Sequence, residues 1–454
     1  MRLTEQPISS VLFATLILLL TSACEPAAEQ AQTDRAKAAD DTGPIEWHAP
    51  LKIASGSAHI GPWRMNESDF HYVDDPTVAI GPQGSIAVAW ADNEAQDVKL
   101  VRLDGDGDLP DEPVNVSSSP DTFSWLPRVA FGPDDETIHV LWQEILFTGG
   151  SHGGEILYAR SDDGGQRFSE PINLSNTDEG AGKGQLNRQS WHNGSLDLLH
   201  GHDGNLYAAW TTYEGPLKIS RSEDGGQSFS EPLHIAGDWD GPARAPSLAL
   251  DPDGRILVAW TVGEDPRADI HLARQSEEGW SFDTPEAILP DDGHADAPKL
   301  GVDDSGHIHL VYNLASDGPM SFPQVVYSRA EAGTLDFSSA RRIVPDDSDL
   351  AGGSGFADLA IAGSWIHIAW EHLPPSGDHA RGLGFSSSED GGANFSRPHM
   401  IPGSDRSEHG VSGGRQGLLM RKLDAGDDGR IAAVHSTFLD GEASAIWLFR
   451  GRAE

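Results

Sequence analysis

The chain has 454 residues, of which 31 are Lys or Arg and 71 are Asp or Glu, so its formal net charge is −40. A surface this acidic repels nucleic acids and anionic lipid surfaces, which excludes both as general partners. Hydrophobic residues make up 38% of the chain, enough for a large core, while 51 Gly and 29 Pro favour short strands and turns. Long helical periodicities are absent, so the composition predicts an all-β fold.

The first residues have the features of an export signal. Arg2 is followed by an apolar run from Val11 to Leu20, and small residues precede Cys24, which is the only cysteine. This pattern predicts a lipoprotein signal peptide over residues 1–23 with lipid attached to Cys24, the alternative being an ordinary signal peptide. We therefore expect a bacterial cell-envelope protein outside the cytoplasm, held at a membrane by lipid only and lacking disulfide bonds.

The next segment, residues 24–44, is rich in Ala, Glu, Gln and Asp and contains almost no large apolar side chains. Such a composition does not form a packed core, so this segment is predicted to be a flexible tether. The folded part is then expected to be one domain spanning residues 45–454.

One sequence motif occurs three times. The segments Ser161–Phe168, Ser222–Phe229 and Ser388–Phe395 share the pattern S-x-D-x-G-x-x-F. In a tight turn the Asp accepts hydrogen bonds from backbone amides, the Gly permits a positive φ, and the Phe returns toward the core. Each copy precedes a short strand, so the motif marks a structural unit that recurs along the chain.

This motif is the Asp-box, and the chain resembles the sialidase-like, or BNR-repeat, β-propeller family. The resemblance implies four-stranded antiparallel blades arranged in a ring. Strand pairs recur at spacings of about fifty to seventy residues, which suits four strands per blade. These pairs end at Trp90, Trp142, Trp210, Trp260, Tyr312 and Trp370, and the seventh ends near His435. The pattern predicts seven blades, with the six blades of sialidases as the alternative.

The last repeat lacks an outer strand, because the chain ends soon after the strand Ala445–Arg450. The segment His48–Ala54, ahead of the first full repeat, is similar to the outer strand Glu231–Ala236. We expect this N-terminal strand to complete the last blade. Closure of the ring in this way removes exposed sheet edges.

The alternation of strand direction assigns the loops to two faces. The Asp-boxes share one face, and the resemblance places the binding site on the other face, over the central channel. The segment Asp104–Asp108 is similar to the start of an EF-hand loop, but Leu109 stands where that loop needs Gly. We interpret it as a degenerate Asp-box turn, so no metal and no other cofactor is expected.

The candidate site residues occur in irregular loops on the face opposite the Asp-boxes. His, Tyr and Glu can act as the base, acid or nucleophile of a glycan-cleaving reaction. Arg can neutralise a substrate carboxylate, and Trp can stack on sugar rings. The expected catalytic residues are His152, His192, Tyr213 and Glu214. The expected substrate-binding residues are Arg188, Arg244, Arg381, Arg415, Trp191 and Trp239.

Three functions are consistent with these residues, and carbohydrate, including anionic glycan, is the favoured ligand in each. A sialidase-type exo-glycosidase needs three Arg, a Tyr nucleophile with its Glu, and an Asp acid/base. In sialidases the first of these Arg residues belongs to an Arg-Ile-Pro motif, but the first inner strand here begins Asp74-Asp75-Pro76. A uronate polysaccharide lyase needs a His base, a Tyr acid and a cation for the carboxylate. The third function is a noncatalytic lipoprotein that binds a glycan or a protein.

Overall fold

The computed structural model describes residues 44–453, apart from position 120 and segments 147–153, 178–179, 188–189, 239–240, 264–266, 289–292, 316–322, 376–378 and 414–420. Over these residues the chain forms strands and one short 3-10 helix, Ser407–His409. The all-β prediction is confirmed. In the part of the chain so described, no helix has the length and apolar character needed to cross a membrane.

The N-terminal strands and the first three blades follow in chain order. The first strands are β1 (Ile45–Trp47), β2 (Leu51–Gly56), β3 (His59–Ile60) and β4 (Phe70–His71). Blade 1 consists of β5 (Val73–Ile80), β6 (Ile86–Asp92), β7 (Asp97–Leu103) and β8 (Val114–Asn115). Blade 2 consists of β9 (Ser124–Phe131), β10 (Ile138–Glu144), β11 (Glu155–Ser161) and β12 (Ile172–Asn173). A separate hairpin follows, formed by β13 (Lys183–Asn187) and β14 (Ser190–Asn193). Blade 3 consists of β15 (Leu196–His200), β16 (Leu206–Thr211), β17 (Leu217–Ser222) and β18 (Leu233–Ala236).

The remaining four blades complete the ring. Blade 4 consists of β19 (Ala243–Leu250), β20 (Ile256–Val262), β21 (Asp269–Arg274) and β22 (Glu286–Ala287). Blade 5 consists of β23 (His294–Val302), β24 (Ile308–Ala315), β25 (Gln324–Ala330) and β26 (Arg341–Arg342). Blade 6 consists of β27 (Gly353–Ala362), β28 (Trp365–Leu373), β29 (Leu383–Ser388) and β30 (His399–Met400). Blade 7 contains β31 (Val411–Ser412), β32 (Leu423–Ala425), β33 (Arg430–Leu439) and β34 (Ala443–Ala453).

Blade 7 closes the ring with strands from both ends of the chain. Strand β2 pairs antiparallel with β34 and places Leu51 opposite Leu448. Strand β1 pairs with the end of β34, with Ile45 opposite Ala453. The predicted seven-bladed ring with an N-terminal closing strand is therefore confirmed, and β1 extends the closure beyond the expected segment.

The core lies between neighbouring blades. The second strands carry the large aromatic side chains on which the repeat prediction was based, and each is at most 2% exposed. They are Trp90, Trp142, Trp210, Trp260, Tyr312 and Trp370. One buried cluster combines Val88 and Trp90 of blade 1 with Val434 and Ile446 of blade 7. Burial of apolar surface between successive sheets thus stabilises the ring at each junction, including the one where the chain ends meet.

The three S-x-D-x-G-x-x-F turns have one hydrogen-bond pattern. In the first, the Ser161 hydroxyl donates to Asp163 at 2.9 Å and accepts from the Gly165 amide at 2.9 Å. The same contacts are 2.8 Å long in the second turn, and 2.8 and 2.9 Å in the third. Hydrogen bonds to its carboxylate lower the pKa of Asp224 to about 2. These turns connect third and fourth strands, as the sequence predicts.

The second turn also contacts the preceding blade. Its Phe229 ring packs edge-on against Tyr158 with 4.9 Å between centroids, and the Tyr158 hydroxyl shares a 2.7 Å hydrogen bond with His139. A Cβ atom at Gly226 would overlap the Tyr158 hydroxyl oxygen. The glycine is therefore required twice, for its φ of +85° and for the close approach of the tyrosine.

Candidate functional site

The two faces of the ring differ in their connections. We call the face with the S-x-D-x-G-x-x-F turns the turn face. We call the other the loop face, because it carries the loops between second and third strands and the connections between blades. Each inner strand begins at the loop face, so side chains at its start surround the mouth of the central channel.

Most inner strands bulge where they enter the channel. The pairing register shifts between Asp74 and Thr77 in blade 1 and between Asp296 and Lys299 in blade 5, and blades 2, 4 and 6 have similar shifts. The bulge contains a residue of positive φ, such as Ala297 at +55°. A bulge redirects the side chains that follow it. The side chains after the bulges are Thr77, Arg128, Ser247, Lys299 and Asp358.

Five charged side chains form a group in the channel, which we call the channel cluster: Arg128, Asp197, Lys299, Asp358 and Arg421. The Arg421 guanidinium makes two hydrogen bonds to the Asp197 carboxylate, of 3.0 and 2.6 Å, and lies 3.6 Å from Asp358. The carboxylates come from blades 3 and 6, and Arg421 comes from the connection into blade 7. The cluster therefore joins separate parts of the ring through charge-assisted hydrogen bonds.

Arg128 is oriented by backbone carbonyls. Its guanidinium donates to Pro127 at 2.9 Å, to Gly194 at 3.0 Å and to Leu196 at 3.2 Å. Burial lowers the pKa of Arg128 to about 10 and that of Lys299 to about 7. The channel cluster thus includes a lysine whose charge is sensitive to pH near neutrality.

Toward the turn face, the channel contains a cavity of about 460 Å³, whose lining includes Arg421 of the channel cluster. Its lining includes aliphatic side chains from every blade, among them Val78, Val129, Leu198, Leu248, Leu300, Leu359 and Leu423. Asp424 also lines this cavity, and burial raises its pKa to about 6.

The hairpin β13–β14 lies across the loop face of blades 2 to 4. The Ala181 amide before it donates to Gly154 of blade 2 at 2.8 Å, and the Thr211 hydroxyl of blade 3 donates to Lys183 at 2.6 Å. A side chain at Gly184 would overlap Arg244 of blade 4. Since Gly184 pairs with His192 in β14, this packing brings the backbone of the expected catalytic His192 next to blade 4.

Arg244 is fully buried beneath this hairpin. Its guanidinium donates to Asp296 at 3.1 Å, to the Gln185 carbonyl at 3.2 Å and to the Gly263 carbonyl at 2.5 Å. His294 lies 3.4 Å from the other oxygen of Asp296. The guanidinium of this expected substrate-binding residue is thus directed into the fold, where it connects the hairpin to blades 4 and 5.

Two polar groups at this position have no hydrogen-bond partner among the described residues. They are the side-chain amide of Gln185, which is 1% exposed, and the Nδ1 atom of His294, which is 3% exposed. Buried polar groups in native proteins nearly always have partners, and an ordered water is a common partner where the protein supplies none. The hairpin and its support therefore contain buried polar groups without a partner among the described residues.

Tyr213 and Glu214 lie in the tight turn between β16 and β17. The Tyr213 amide donates to Gly180 at 2.9 Å, which joins this turn to the segment leading into the hairpin. Tyr213 is half-buried and Glu214 is exposed. The structure therefore brings Tyr213, the backbone of His192 and Arg244 into one region above blades 3 and 4.

Arg381 lies elsewhere on the loop face, in blade 6, and is exposed beside a cavity between blades 6 and 7. Trp191, like His192, belongs to β14, and only the backbone of that strand is described. The other expected site residues lie outside the described residues: His152, Arg188, Trp239 and Arg415, together with the lipidation residue Cys24.

Sequence reasoning missed the channel cluster. Arg128 and Lys299 each follow a proline near the start of an inner strand, in the segments Leu126-Pro127-Arg128 and Ala297-Pro298-Lys299. That repeated position could have been recognised as the channel-facing one. Asp197 and Arg421 do not follow a proline, so nothing comparable in the sequence indicates that they face the channel.

An exposed aromatic residue was also missed. Among the described residues, the exposed large hydrophobic side chains are Trp63 at 51%, Met65 at 44% and Ile60 at 40%. All three belong to the connection that contains β3 and β4 on the loop face. Asn66 fixes this connection by donating to Ile145 at 2.9 Å and accepting from Phe123 at 3.1 Å. Trp63 is thus about half exposed, and its ring lies against Phe70 and Trp125.

No protein-family model matches the sequence, and a search of curated proteins finds no match. Among solved structures, a PL25 ulvan lyase bound to -[GlcA(1-4)Rha3S]- is 13% identical, covers 87% of this chain and 95% of its own, and has a TM-score of 0.55. Polysaccharide lyase Uly1 is 13% identical, covers 87% of this chain and 94% of its own, and has a TM-score of 0.52. A Hadza microbial sialidase, Hz136, covers 66% of this chain and 63% of its own at 15% identity and a TM-score of 0.45. The two lyases share the fold of this chain along nearly its whole described length.

Proposed function

We propose that this protein is a carbohydrate-active enzyme that cleaves an anionic, uronate-containing polysaccharide at its loop face by β-elimination. The observation that carries the proposal is the correspondence of its whole ring with two polysaccharide lyases, each of which covers 87% of the chain. The region above blades 3 and 4 supports the same conclusion, because Tyr213 and the backbone of His192 lie there and both residues are of types that this reaction requires.

The reaction assigns a task to each group. A base removes the proton from C5 of the uronate, the C4–O bond breaks, and a double bond forms between C4 and C5 while the leaving oxygen takes a proton. We assign the base to His192, with His152 as the alternative, and the acid to Tyr213, beside the exposed Glu214. Arg188 is proposed to neutralise the carboxylate, because Arg244 donates to Asp296 and two carbonyls. Arg415 and the rings of Trp191 and Trp239 are proposed to bind adjoining sugars.

The test is incubation with a panel of uronate polysaccharides and sialosides. Ultraviolet absorbance reports the new double bond of an unsaturated uronate, and a second assay measures free sialic acid. Growth of absorbance supports the proposal. Release of sialic acid would instead assign a sialidase-type hydrolase, and binding without either product would assign a noncatalytic glycan-binding protein.

We also propose that the protein is exported and held by lipid at Cys24 in a bacterial cell envelope, on the periplasmic or the outer side. The apolar run before Cys24 supports this proposal. Metabolic labelling with a radioactive fatty acid should label the wild type and not Cys24→Ser. Equal labelling of both proteins would contradict the lipid anchor.

A further inference from the structure

One lysine of the loop face has no charged partner among the described residues. Lys183 is the first residue of β13, in the hairpin across blades 2 to 4, and its side chain is half-buried. Two other lysines with buried or half-buried side chains, Lys99 and Lys422, lie 3.5 and 3.1 Å from the carboxylates of Asp97 and Glu371. Lys183 therefore carries a charge that no carboxylate in the described part of the chain neutralises.

Backbone contacts fix Lys183 at the start of the inner strand of blade 3. Its carbonyl accepts a 2.6 Å hydrogen bond from the Thr211 hydroxyl, which also lies 2.7 Å from the Ser195 hydroxyl. The preceding residue, Gly182, donates to the Thr211 carbonyl at 2.8 Å and accepts from the Ser195 amide at 3.0 Å. Since Ser195 directly precedes β15, Lys183 lies at the mouth of the channel on the loop face.

The same contacts relate Lys183 to Tyr213. Ala181 pairs antiparallel with Thr212, and the Tyr213 amide donates to the Gly180 carbonyl at 2.9 Å. Lys183 is three positions along the chain from Gly180, which places its backbone roughly 10 Å from that of Tyr213 at about 3.3 Å per extended residue. This separation is within the length of a few sugar residues, so one stretch of polysaccharide can contact both side chains.

The surroundings of Lys183 favour an anion as its partner. Burial lowers the pKa of Lys183 below its ordinary value, and no described carboxylate opposes this effect. An anionic ligand would supply the missing opposite charge at a position from which water is partly excluded, where an ion pair is less screened than on the open surface. An ammonium has three N–H donors and suits the oxygens of a carboxylate or a sulfate ester.

We propose that Lys183 is a substrate-binding residue whose ammonium pairs with an anionic group, a carboxylate or a sulfate ester, on a sugar next to the uronate that reacts. This inference rests on the proposed function, since both sugars belong to the same polysaccharide. Arg188 is assigned to the carboxylate of the reacting uronate, so Lys183 binds a second negative charge. The substrate class is then a polysaccharide whose negative charges are closely spaced.

Isothermal titration calorimetry with three polymers tests the charge. Alginate carries carboxylates, dextran sulfate carries sulfate esters, and dextran is neutral. Lys183→Met keeps the length of the side chain and removes the ammonium. Binding of at least one charged polymer should weaken about tenfold, as expected for loss of one charge-assisted hydrogen bond, while dextran binding should not change. The polymer that is affected identifies the anionic group.

Two further variants separate loss of charge from loss of structure. Lys183→Arg retains a positive charge and should retain most of the affinity. Lys218→Met removes a half-buried lysine from the third strand of the same blade and is the matched control, with no expected effect. Thermal denaturation verifies that each variant is folded. Equal binding of the charged polymers by the wild type and Lys183→Met, or binding of neither by the wild type, would overturn the inference.

Cleavage kinetics distinguish failure of this inference from failure of the proposed function. With a polysaccharide that the wild type cleaves, Lys183→Met should raise KM about tenfold and leave kcat nearly unchanged, because the ion pair forms on a sugar that does not react. Unchanged KM with normal cleavage would overturn this inference alone, and a loss of kcat instead would place Lys183 at the reacting carboxylate and overturn the second charge. If no polysaccharide is cleaved but Lys183→Met still weakens polymer binding, the proposed function fails and the anion-binding role of Lys183 stands.

Discussion

The guanidinium of Arg421 extends to the carboxylate of Asp197, with its Nη2 atom 2.6 Å from Oδ2 and its Nε atom 3.0 Å from Oδ1. The two residues are 224 positions apart in the chain. Asp197 is 1% exposed, so this contact lies inside the channel and joins blade 3 to the connection that enters blade 7. The contact holds the ring together at its axis, whereas strand pairing holds it at blade 7.

Removal of that arginine should therefore destabilise the protein strongly. Arg421→Met removes the guanidinium that is paired with Asp197 and Asp358, although Lys299 remains in the cluster, and should lower the free energy of unfolding by about 3–5 kcal/mol in urea denaturation. Arg342→Ala, which breaks the exposed pair with Asp346, should cost less than about 1 kcal/mol. Equal effects of the two substitutions would show that the buried channel pair contributes no more to stability than an exposed ion pair does.

The turn glycine should be sensitive to substitution for a steric reason. Gly226→Ala places a Cβ atom on the Tyr158 hydroxyl in addition to straining a φ of +85°. Gly204 has a φ of +81° and no atom within 4 Å of its Cβ position, so Gly204→Ala measures the backbone strain alone. Thermal denaturation should show Gly226→Ala to be less stable than Gly204→Ala by about 1–3 kcal/mol. Addition of Tyr158→Phe should recover part of this difference, and no recovery would contradict the steric explanation.

Buried histidines should make the protein less stable in mild acid. Burial lowers the pKa of His309 from 6.5 to about 4, and burial similarly lowers those of His139, His367 and His435. Between pH 6.5 and about 4, a histidine such as His309 is protonated in the unfolded chain but neutral in the folded protein. The free energy of unfolding therefore decreases as the pH falls through this range. Well above pH 6.5 these histidines are neutral in both states, so they do not make the free energy of unfolding depend on pH.

Urea denaturation at several pH values measures this effect. Each buried histidine should contribute a slope of up to about 1.4 kcal/mol per pH unit in that window. His309→Gln should remove one such contribution while retaining a partner for the Tyr327 hydroxyl. An unchanged slope in this variant would mean that His309 is already protonated in the folded protein.

Tyr213 should be essential to cleavage if it donates the proton to the leaving oxygen. Tyr213→Phe removes only the hydroxyl and should lower kcat by a factor of about 10²–10⁴ while leaving KM nearly unchanged. Tyr207→Phe, which removes a buried hydroxyl bonded to Asp203 near the turn face, is the control for loss of a tyrosine hydroxyl. Retained kcat in Tyr213→Phe would assign the acid to another residue.

Trp63 should contribute to polysaccharide binding through its exposed ring. Trp63→Ala should weaken binding about two- to tenfold, which corresponds to one stacking contact. Met65→Ala removes a comparably exposed apolar side chain from the same connection and tests whether aromatic character matters. Affinity capture on immobilised polysaccharide is a suitable measurement. Equal losses in both variants would indicate a general apolar contact instead of stacking.

The sequence by itself determined the number of blades, the position of the turns and the strand that closes the ring. Strand alternation, the S-x-D-x-G-x-x-F turns and the aromatic ends of the second strands are local features, and each is repeated. Local patterns of this kind depend on neighbours a few residues away, which the sequence displays directly. The similarity of His48–Ala54 to an outer strand was enough to predict the closure now seen between β2 and β34.

The contacts of the candidate site could be predicted from the sequence only in part. Residues such as Tyr213 and Arg381 were predicted as site residues because they lie in loops that interrupt the repeat, but only the tertiary structure shows that Arg244 is directed inward. Only the tertiary structure brings Arg421 to Asp197. The physical reason is that ring closure places inner strands from distant parts of the chain around one axis, so their contacts depend on the geometry of all seven blades together.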